Sequence, residues 1–288
     1  MRKDAGALVF AAALAAAALV PSASAAVSLK LKGGGFYAAA SEFNAGLQGV
    51  CDLAVAAASY TGDYRPLHFG TQIGAEIVVD LGGGFGLGLG VDLQRASRES
   101  ALEYASPLFS ESDTIAPRIT AVPLALNLHR EWRIGRSFSF DAYAGIGCTW
   151  ATFHQEYRTV SDFFDYRQTD SFTAHKAAFG GQAGVALEFE IARAVGLFVQ
   201  AEGRLAALTE LRGDRTISGS YFLGPVPEET SPAYLWAYTL TVSARAFPQL
   251  AVSLAAPTAG TGEMIDNVHK ARLDLSGASL SAGIRIRL

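Results

Sequence analysis

Hydrophobic and polar residues alternate with a period of two along much of this chain. Over residues 67–81 the odd positions are mainly apolar, whereas the even positions are mainly glycine or polar. This period places the two sets of side chains on opposite faces of a β-strand. The alternation resumes over 85–94, after Gly82, Gly83 and Gly84. Because glycine accepts positive φ, the sequence predicts a hairpin with a tight turn at 82–84.

The same hairpin pattern returns twice, and a single alternating strand stands at each end of the chain that follows the first 25 residues. Residues 119–130 and 138–150 form the second predicted pair, and 179–191 and 195–205 form the third. The end strands cover 27–32 and 280–288. Eight antiparallel strands are therefore expected.

Short and long connections between these strands alternate strictly. The short ones lie at 82–84, 131–136 and 192–194; the long ones lie at 39–66, 96–117, 154–173 and 211–271. Brief periplasmic turns and long extracellular loops are typical of outer-membrane barrels. We expect a short amphipathic helix in 39–66 that caps the barrel mouth. An alternating hairpin within 234–254 either rises above the membrane or adds two wall strands, which leaves ten strands as the alternative.

The composition of the two strand faces favours a membrane. One face is rich in Gly, Ala, Ser and isolated charges, which suits the interior of a narrow barrel, and the other is apolar over about 10 residues per strand. Several aromatic residues lie near predicted strand ends and indicate interfacial girdles: Phe85, Phe138, Phe140, Trp150, Phe153, Phe179 and Phe189. The prediction is an all-β, antiparallel, up-and-down transmembrane β-barrel. A soluble periplasmic β-protein, with apolar residues inside, is the alternative.

The N-terminus has the features of a Sec-type signal peptide. Arg2 and Lys3 precede an uncharged apolar run over 5–20, and Ala23 and Ala25 form the small-x-small cleavage pattern before Ala26. The run is shorter than the roughly 20 residues that a membrane-spanning helix needs. We therefore expect a signal peptide over 1–25, a barrel domain over 26–288, and localisation in the cell outer membrane.

Closure of the barrel would collect charged side chains in its lumen. Lys30 and Lys32 on the first strand would face Arg285 and Arg287 on the last. Because buried charges are costly unless they are paired, we expect a cross-lumen ion network. Its predicted members are Lys30, Lys32, Glu76, Asp80, Asp92, Asp141, Glu188, Glu190, Glu202, Arg204, Arg285 and Arg287. An ion pathway is the alternative, but an eight-stranded wall leaves little space, which favours a plugged interior.

Charge and cysteine content exclude further classes. The formal net charge is −4, without a dense basic run, which argues against nucleic acid as a partner. Two cysteines do not make a disulfide scaffold. We expect free thiols, with Cys51 in a surface loop and Cys148 on the membrane face; a bridge between them is the alternative.

No residue pattern predicts an active site. The five histidines are scattered, without metal-ligand spacing and without a cysteine cluster. His68 and His129 are predicted to face inward, and no Ser/His pair can be placed together. We expect no catalytic residue, no metal and no cofactor; a lipid-modifying barrel enzyme would need such a pair on the outer wall.

Three segments resemble the small outer-membrane β-barrel proteins, the group that includes the OmpA transmembrane domain, OmpX and opacity-type proteins. They are VPLALN at 122–127, AGIG at 144–147 and the closing segment 274–288. The sequence departs from the group at Leu288, where Phe is usual. The resemblance implies insertion by the barrel assembly machinery and variable surface loops for adhesion, host contact or envelope integrity.

The resulting functional prediction is a non-enzymatic integral outer-membrane protein. Its expected partners are outer-membrane lipid, the assembly machinery and an extracellular ligand or surface that the loops contact. A small passive porin-like channel is a further alternative.

Overall fold

A computed structural model describes residues 26–222, 224–259 and 264–288. The predicted cleavage residues Ala23 and Ala25 lie outside the described residues, which begin with Ala26. The described part contains fifteen strands in a single sheet, one long helix (α1) and a 3-10 turn, Phe163–Asp165. The elements are β1 (Val27–Ala38), α1 (Ser41–Ala58), β2 (Thr61–Gly62), β3 (Phe69–Gly82), β4 (Phe85–Ser97), β5 (Ser100–Ala105), β6 (Ser110–Ile134), β7 (Phe138–Ser161), β8 (Tyr166–Ala192), β9 (Val195–Leu208), β10 (Arg212–Tyr221), β11 (Gly224–Val242), β12 (Arg245–Ser253), β13 (Met264–Lys270), β14 (Leu273–Asp274) and β15 (Gly277–Arg287).

Eight of the strands pair in a closed ring. The order is β1, β3, β4, β6, β7, β8, β9 and β15, and β15 returns to β1; every neighbouring pair is antiparallel. The three short turns join β3 to β4, β6 to β7 and β8 to β9. The first and third lie at the predicted places, whereas the second spans only 135–137, because β6 continues through most of the predicted connection to Ile134. Gly82, Gly83 and Gly84 all have positive φ, as the tight turn requires.

The two faces of the ring differ in the way that the alternation predicts. Outward side chains such as Ile73, Ile146 and Phe179 are exposed, and Phe179 keeps 90% of its surface free. Inward side chains such as Glu76 and Asn127 are buried. The ring therefore carries its apolar residues outside and its charged residues inside, which is the reverse of a soluble β-protein.

Three ring strands extend beyond the ring at the end opposite the short turns. Pairing of β6 with β7 continues to Glu111 and Ser161, although β4 leaves β6 at Arg118. Strand β10 continues the sheet from β8, and β11 pairs with β10, β12 and β13. We use the name sheet extension for the segments of β6, β7 and β8 beyond the ring together with β2, β5, β10, β11, β12 and β13. Strands thus occupy much of the predicted connections 96–117, 154–173 and 211–271, and the predicted hairpin within 234–254 is β11 with β12, outside the ring.

Helix α1 lies between the ring mouth and the sheet extension. Phe43, Leu47 and Cys51 follow each other at four-residue spacing and form one buried face. The ring of Phe43 meets Phe153 edge to face, with 5.1 Å between centroids. A helix in 39–66 that covers the mouth is confirmed. Among the described residues, no helix is long and apolar enough to cross a membrane.

Two sequence predictions are wrong at this mouth. Phe153 was expected in an aromatic girdle, but it is fully buried in the apolar core. It lies three positions after Trp150, so it has the opposite parity and points inward. Cys51 was expected in a surface loop, but it is buried on α1; both thiols are free, as predicted.

Two helical glycines allow α1 to approach β12 closely. A Cβ atom at Gly49 would overlap the backbone oxygen of Pro248, and one at Gly46 would overlap the Leu250 side chain. The buried Asn44 fixes the helix from the other side, because its Oδ1 accepts hydrogen bonds from the Tyr64 hydroxyl and the Leu67 amide, both at 2.8 Å. The position of α1 is thus determined by contacts at both sides.

Replacing Gly49 by alanine tests this contact. Helix propensity alone would favour alanine by about 1 kcal/mol, whereas the overlap with Pro248 predicts a net loss of about 1–3 kcal/mol. We expect faster hydrogen exchange of the α1 amides in Gly49→Ala than in Ala45→Gly, a propensity change at an exposed position of the same helix. Protection in Gly49→Ala equal to or above that of the native protein would contradict the close contact.

The Cys51 thiol reports independently on the burial of α1. Burial, assisted by Asp52, Asp113 and Asp63, raises the pKa of Cys51 to about 11. The thiolate is therefore scarce at pH 8 and increases only as the pH approaches that pKa. Two proteins are compared, both carrying Cys148→Ser: one keeps Cys51, and the control carries Cys51→Ser and Ala45→Cys. We expect the Cys51 thiol to react with iodoacetamide at least about 100-fold more slowly than the thiol of the control. Equal rates, measured by mass spectrometry, would show that the helix is not docked.

Candidate functional site

The inward-facing charges of the ring meet in three layers between the short turns and α1. Each layer draws residues from several strands, because the period of two sends every second side chain to the interior. The lower layer, nearest the short turns, contains Glu131, Glu188, Glu190, Arg285 and Arg287. The middle layer contains Lys30, Glu76, His129 and Asp141, and the upper layer contains Lys32, Asp92, Glu202 and Arg204.

The lower layer is centred on two arginines of the last strand. Arg285 Nη1 lies 2.6 Å from a Glu131 oxygen and 3.0 Å from a Glu188 oxygen. Arg287 contacts Glu188 at 2.5 Å and Glu190 at 3.6 Å. Arg285 and Arg287 remain partly exposed, so this layer is in contact with solvent at the turn end.

The middle layer is a chain of four buried charged groups. Lys30 Nζ lies 2.6 Å from Asp141 Oδ2. His129 stands between two carboxylates, with Nδ1 3.0 Å from Asp141 Oδ2 and Nε2 3.0 Å from Glu76 Oε1. Asn127 also donates to Glu76 Oε1, at 2.6 Å. Both ring nitrogens can donate to carboxylates only when the imidazole is protonated, so this geometry fits an imidazolium.

The upper layer joins two cations to two carboxylates. Arg204 Nη2 lies 2.9 Å from an Asp92 oxygen and 2.7 Å from a Glu202 oxygen. Lys32 Nζ lies 3.1 Å from Asp92 and 3.5 Å from Glu202. Tyr143 donates its hydroxyl hydrogen to Glu202 at 2.7 Å. All four charged side chains are less than a tenth exposed.

The middle and upper layers together have no net charge when both ring nitrogens of His129 are protonated. Glu76, Asp92, Asp141 and Glu202 supply the negative charges, and Lys30, Lys32 and Arg204 supply three positive ones. The imidazolium is the fourth cation. Since an unpaired buried charge is strongly destabilising, this balance is a condition for the interior to be stable.

Eleven of the twelve charged residues predicted for the interior lie in these layers. The exception is Asp80, which is exposed at the short turn and accepts a hydrogen bond from the Gly82 amide at 2.7 Å. Sequence reasoning placed His129 inward but missed its role in the network. It also missed several polar partners that inward parity would have indicated: Asn127, Glu131, Tyr143, Gln182 and Gln200.

The layers fill the centre of the ring. Between the middle and upper layers, the described residues leave a cavity of only about 10 Å³, about enough for one water molecule. A larger cavity of about 370 Å³ opens at the turn end, where Lys30, His129, Glu131 and Arg285 contribute to its wall. Above the upper layer the apolar core around α1 closes the mouth. Among the described residues, no group of three His, Cys, Asp or Glu side chains is arranged to hold a metal ion.

Removing Lys30 tests whether the network is tightly coupled. Lys30→Met leaves Asp141 with His129 as its remaining charged contact, and we expect a loss of about 3–5 kcal/mol in unfolding free energy, measured in denaturant by tryptophan fluorescence. The double variant Lys30→Met/Asp141→Asn should lose less than the sum of the single variants, because it removes both charges. Arg167→Met is the control, since its exposed pair with Asp165 should contribute less than about 1 kcal/mol. A Lys30 effect as small as the control would contradict the network.

Comparisons with known proteins add little to this geometry. No protein-family model matches the chain, and no curated protein sequence matches it. Among solved structures, the chain is similar to a major outer membrane protein from Thermus thermophilus. The two are 14% identical, the match covers 91% of this chain and 99% of that one, and the TM-score is 0.41. At this distance the likeness does not bear on the function.

Proposed function

We propose that this chain is an integral outer-membrane protein: an eight-stranded transmembrane β-barrel with a plugged lumen, whose sheet extension and α1 stand outside the membrane. The single observation that carries the proposal is the inverted distribution of residues on the ring. Exposed apolar side chains cover its outside, whereas paired charges fill its inside. Exposure of that apolar surface to water would be unfavourable in free energy, whereas lipid would solvate it.

Aromatic side chains mark two borders of the apolar outer surface. The lower border, near the short turns, includes Phe85, Trp132, Phe138, Phe140 and Phe189; the upper border includes Tyr37, Phe69, Trp150 and Phe179. About ten residues separate the borders along β7, which corresponds to about 34 Å of strand and roughly 24 Å of height at a 45° tilt. The apolar band of known outer-membrane barrels is about 25 Å tall.

Ring closure supports the same proposal from the backbone. A membrane offers no hydrogen bonds to free N–H and C=O groups, and each unsatisfied group costs several kcal/mol there. The ring has no open edge between the two aromatic borders, because β15 pairs with both β1 and β9. By analogy with known barrels, the short turns would face the periplasm and α1 would face outward.

We further propose a structural or adhesive role rather than transport or catalysis. The paired layers and the α1 core obstruct the lumen, which disfavours a passive channel. The tip of the sheet extension instead presents exposed apolar residues, among them Leu108, Phe163 and Phe222. Exposed apolar groups at a position away from the membrane are suited to contact with an external ligand or surface. Lipid and the barrel assembly machinery would be the other partners.

A lipid-modifying enzyme is the second candidate, and one contact favours it. On the outer wall above Trp150, Thr152 Oγ1 lies 3.0 Å from His175 Nδ1, and both side chains are solvent-accessible. A hydroxyl beside an imidazole is the minimum arrangement for nucleophilic catalysis. It also fits an ordinary cross-strand hydrogen bond, because the two residues are directly paired on β7 and β8. Loss of phospholipid hydrolysis in His175→Ala, with hydrolysis present in the native protein, would promote this candidate.

The three tryptophans provide a direct test of membrane insertion. Trp132 and Trp150 lie at the two proposed borders, whereas Trp236 lies on β11, outside the ring. Three single-tryptophan variants would be reconstituted in vesicles of phosphatidylcholine with bromine on the acyl chains. We expect at least twofold stronger quenching of Trp132 and Trp150 than of Trp236, because only the first two contact lipid. Boiled and unboiled samples should also differ in mobility on a denaturing gel.

Equal quenching at all three positions, without a gel shift, would contradict the membrane proposal. The outer face would then have to be covered by protein. Quenching at Trp132 and Trp150 together with steady conductance in a planar bilayer would keep the membrane proposal but replace the plugged lumen by a channel.

A further inference from the structure

A row of basic and hydroxyl side chains crosses the outer face of the sheet beside the upper aromatic border. Its members, each on a different strand, are Arg95 (β4), Thr120 (β6), Thr152 (β7), His175 (β8) and Arg212 (β10). Backbone pairing places the first four directly beside one another. Arg212 continues the row, because the residue after it, Gly213, pairs with Ala174. Arg118 lies two residues from Thr120 and therefore shares its face of β6.

The three arginines of this region carry charges without an acidic partner. We call Arg95, Arg118 and Arg212 the basic patch; all three are exposed. Among the described residues, none of them has a carboxylate oxygen within 4 Å, and Arg212 contacts only the Tyr234 ring, 5.7 Å from its centroid. Four other arginines do have such a carboxylate partner: Arg158, Arg167, Arg215 and Arg272.

Acidic residues of the same face stand farther from the border than the row. Glu156 lies four residues beyond Thr152 on β7, and it is paired with Arg158. Asp214 pairs with Thr173, which lies on the side of His175 away from the border. The part of this face next to the border therefore carries an excess of positive charge.

Strand geometry places the row at the depth of lipid headgroups. Thr152 lies two residues beyond Trp150 on the same face of β7, which is about 7 Å along the strand and about 5 Å in height at a 45° tilt. The hydrocarbon core of a bilayer is about 30 Å thick and the whole bilayer about 40–45 Å, so each headgroup layer is about 5–7 Å deep. With the aromatic border at the edge of the hydrocarbon, the row lies within that layer.

From this position and charge we propose that the basic patch binds the phosphate groups of anionic lipids in the leaflet beside the upper border. A guanidinium group suits a phosphate, because it can donate two parallel hydrogen bonds to it. The hydroxyl of Thr152 and the imidazole of His175 stand between the arginines and add polar groups. Lipid is favoured over an acidic protein, because the patch continues the surface that the proposed membrane insertion places against acyl chains. The inference rests on that insertion and adds the class of lipid.

Trp150 lies directly below the row and can report on the lipids beside it. The variant in which Trp150 is the only tryptophan would be reconstituted in phosphatidylcholine vesicles with a minor fraction of lipid brominated on the acyl chains, either phosphatidylcholine or phosphatidic acid. We expect brominated phosphatidic acid to quench at least about threefold more strongly, since one arginine near an anionic surface contributes about fivefold in binding. In 1 M NaCl this preference should fall at least about twofold, because salt screens exposed charges.

Two triple variants, both in the Trp150-only protein, separate the basic patch from charge in general. Arg95→Gln/Arg118→Gln/Arg212→Gln should remove most of the preference for phosphatidic acid. Arg158→Gln/Arg167→Gln/Arg272→Gln removes the same charge from exposed arginines that have carboxylate partners, and it should retain the preference. A mobility difference between boiled and unboiled samples would show that each variant is folded. The salt dependence needs no arginine substitution, so it decides even where a triple variant does not fold.

The outcomes distinguish this inference from the membrane proposal. Equal quenching by the two brominated lipids would overturn the inference, would leave an acidic protein as the occupant of the basic patch, and would keep membrane insertion. A preference that persists in the patch variant, or that 1 M NaCl does not reduce, would also overturn it. Absence of quenching by either lipid would contradict membrane insertion itself and the inference with it.

Discussion

Closure of the strand ring is the constraint on which the other features depend. Once β15 pairs with β1, the period of two assigns each side chain either to the interior or to the outer surface, and a one-residue slip would exchange the two sets. Between the middle and upper layers, the interior of this eight-stranded ring has room for side chains but hardly for water. Charges placed there have to neutralise one another, and the balance of four carboxylates with Lys30, Lys32, Arg204 and protonated His129 meets that requirement.

The two ends of the ring differ in the side chains that they contain: charged groups lie at the turn end, and an apolar core lies at the other. At the turn end, Arg287 and Glu190 are partly exposed, whereas Arg285 and Glu188 are largely buried, so only the outer part of the lower layer faces solvent. At the other end β6, β7 and β8 continue beyond the ring, and their inward faces change from charged to apolar. Those apolar residues need a cover, which α1 provides through Phe43, Leu47 and Cys51. The helix thus completes a small soluble-type core on top of an interior that is polar.

Local periodicity predicted the features that depend on neighbouring residues. The glycine turn at 82–84, the strand faces and the helix over the mouth follow from local patterns, and these were correctly predicted. Asp80, Cys51 and Phe153 were misplaced because their environments depend on where a strand ends or on which distant segment packs against it. The pairing of β10 with β8, and of β13 with β11, joins residues far apart in sequence. No local pattern specifies these partners, so the sheet extension could not be predicted beyond the hairpin of β11 and β12.

The residues that the proposed membrane insertion constrains lie in the ring, whereas those proposed to contact an external ligand or surface lie in the sheet extension. Substitutions inside the ring disturb a balanced set of buried charges, and those on its outer face would disturb contact with lipid. Residues of the extension, by contrast, are joined to the ring mainly through β6, β7 and β8, whose pairing continues regardless of the side chains on the tip. The tip can therefore vary in chemistry without changing the ring. If the ring is a membrane anchor, specificity belongs to the part of the chain that the membrane does not constrain.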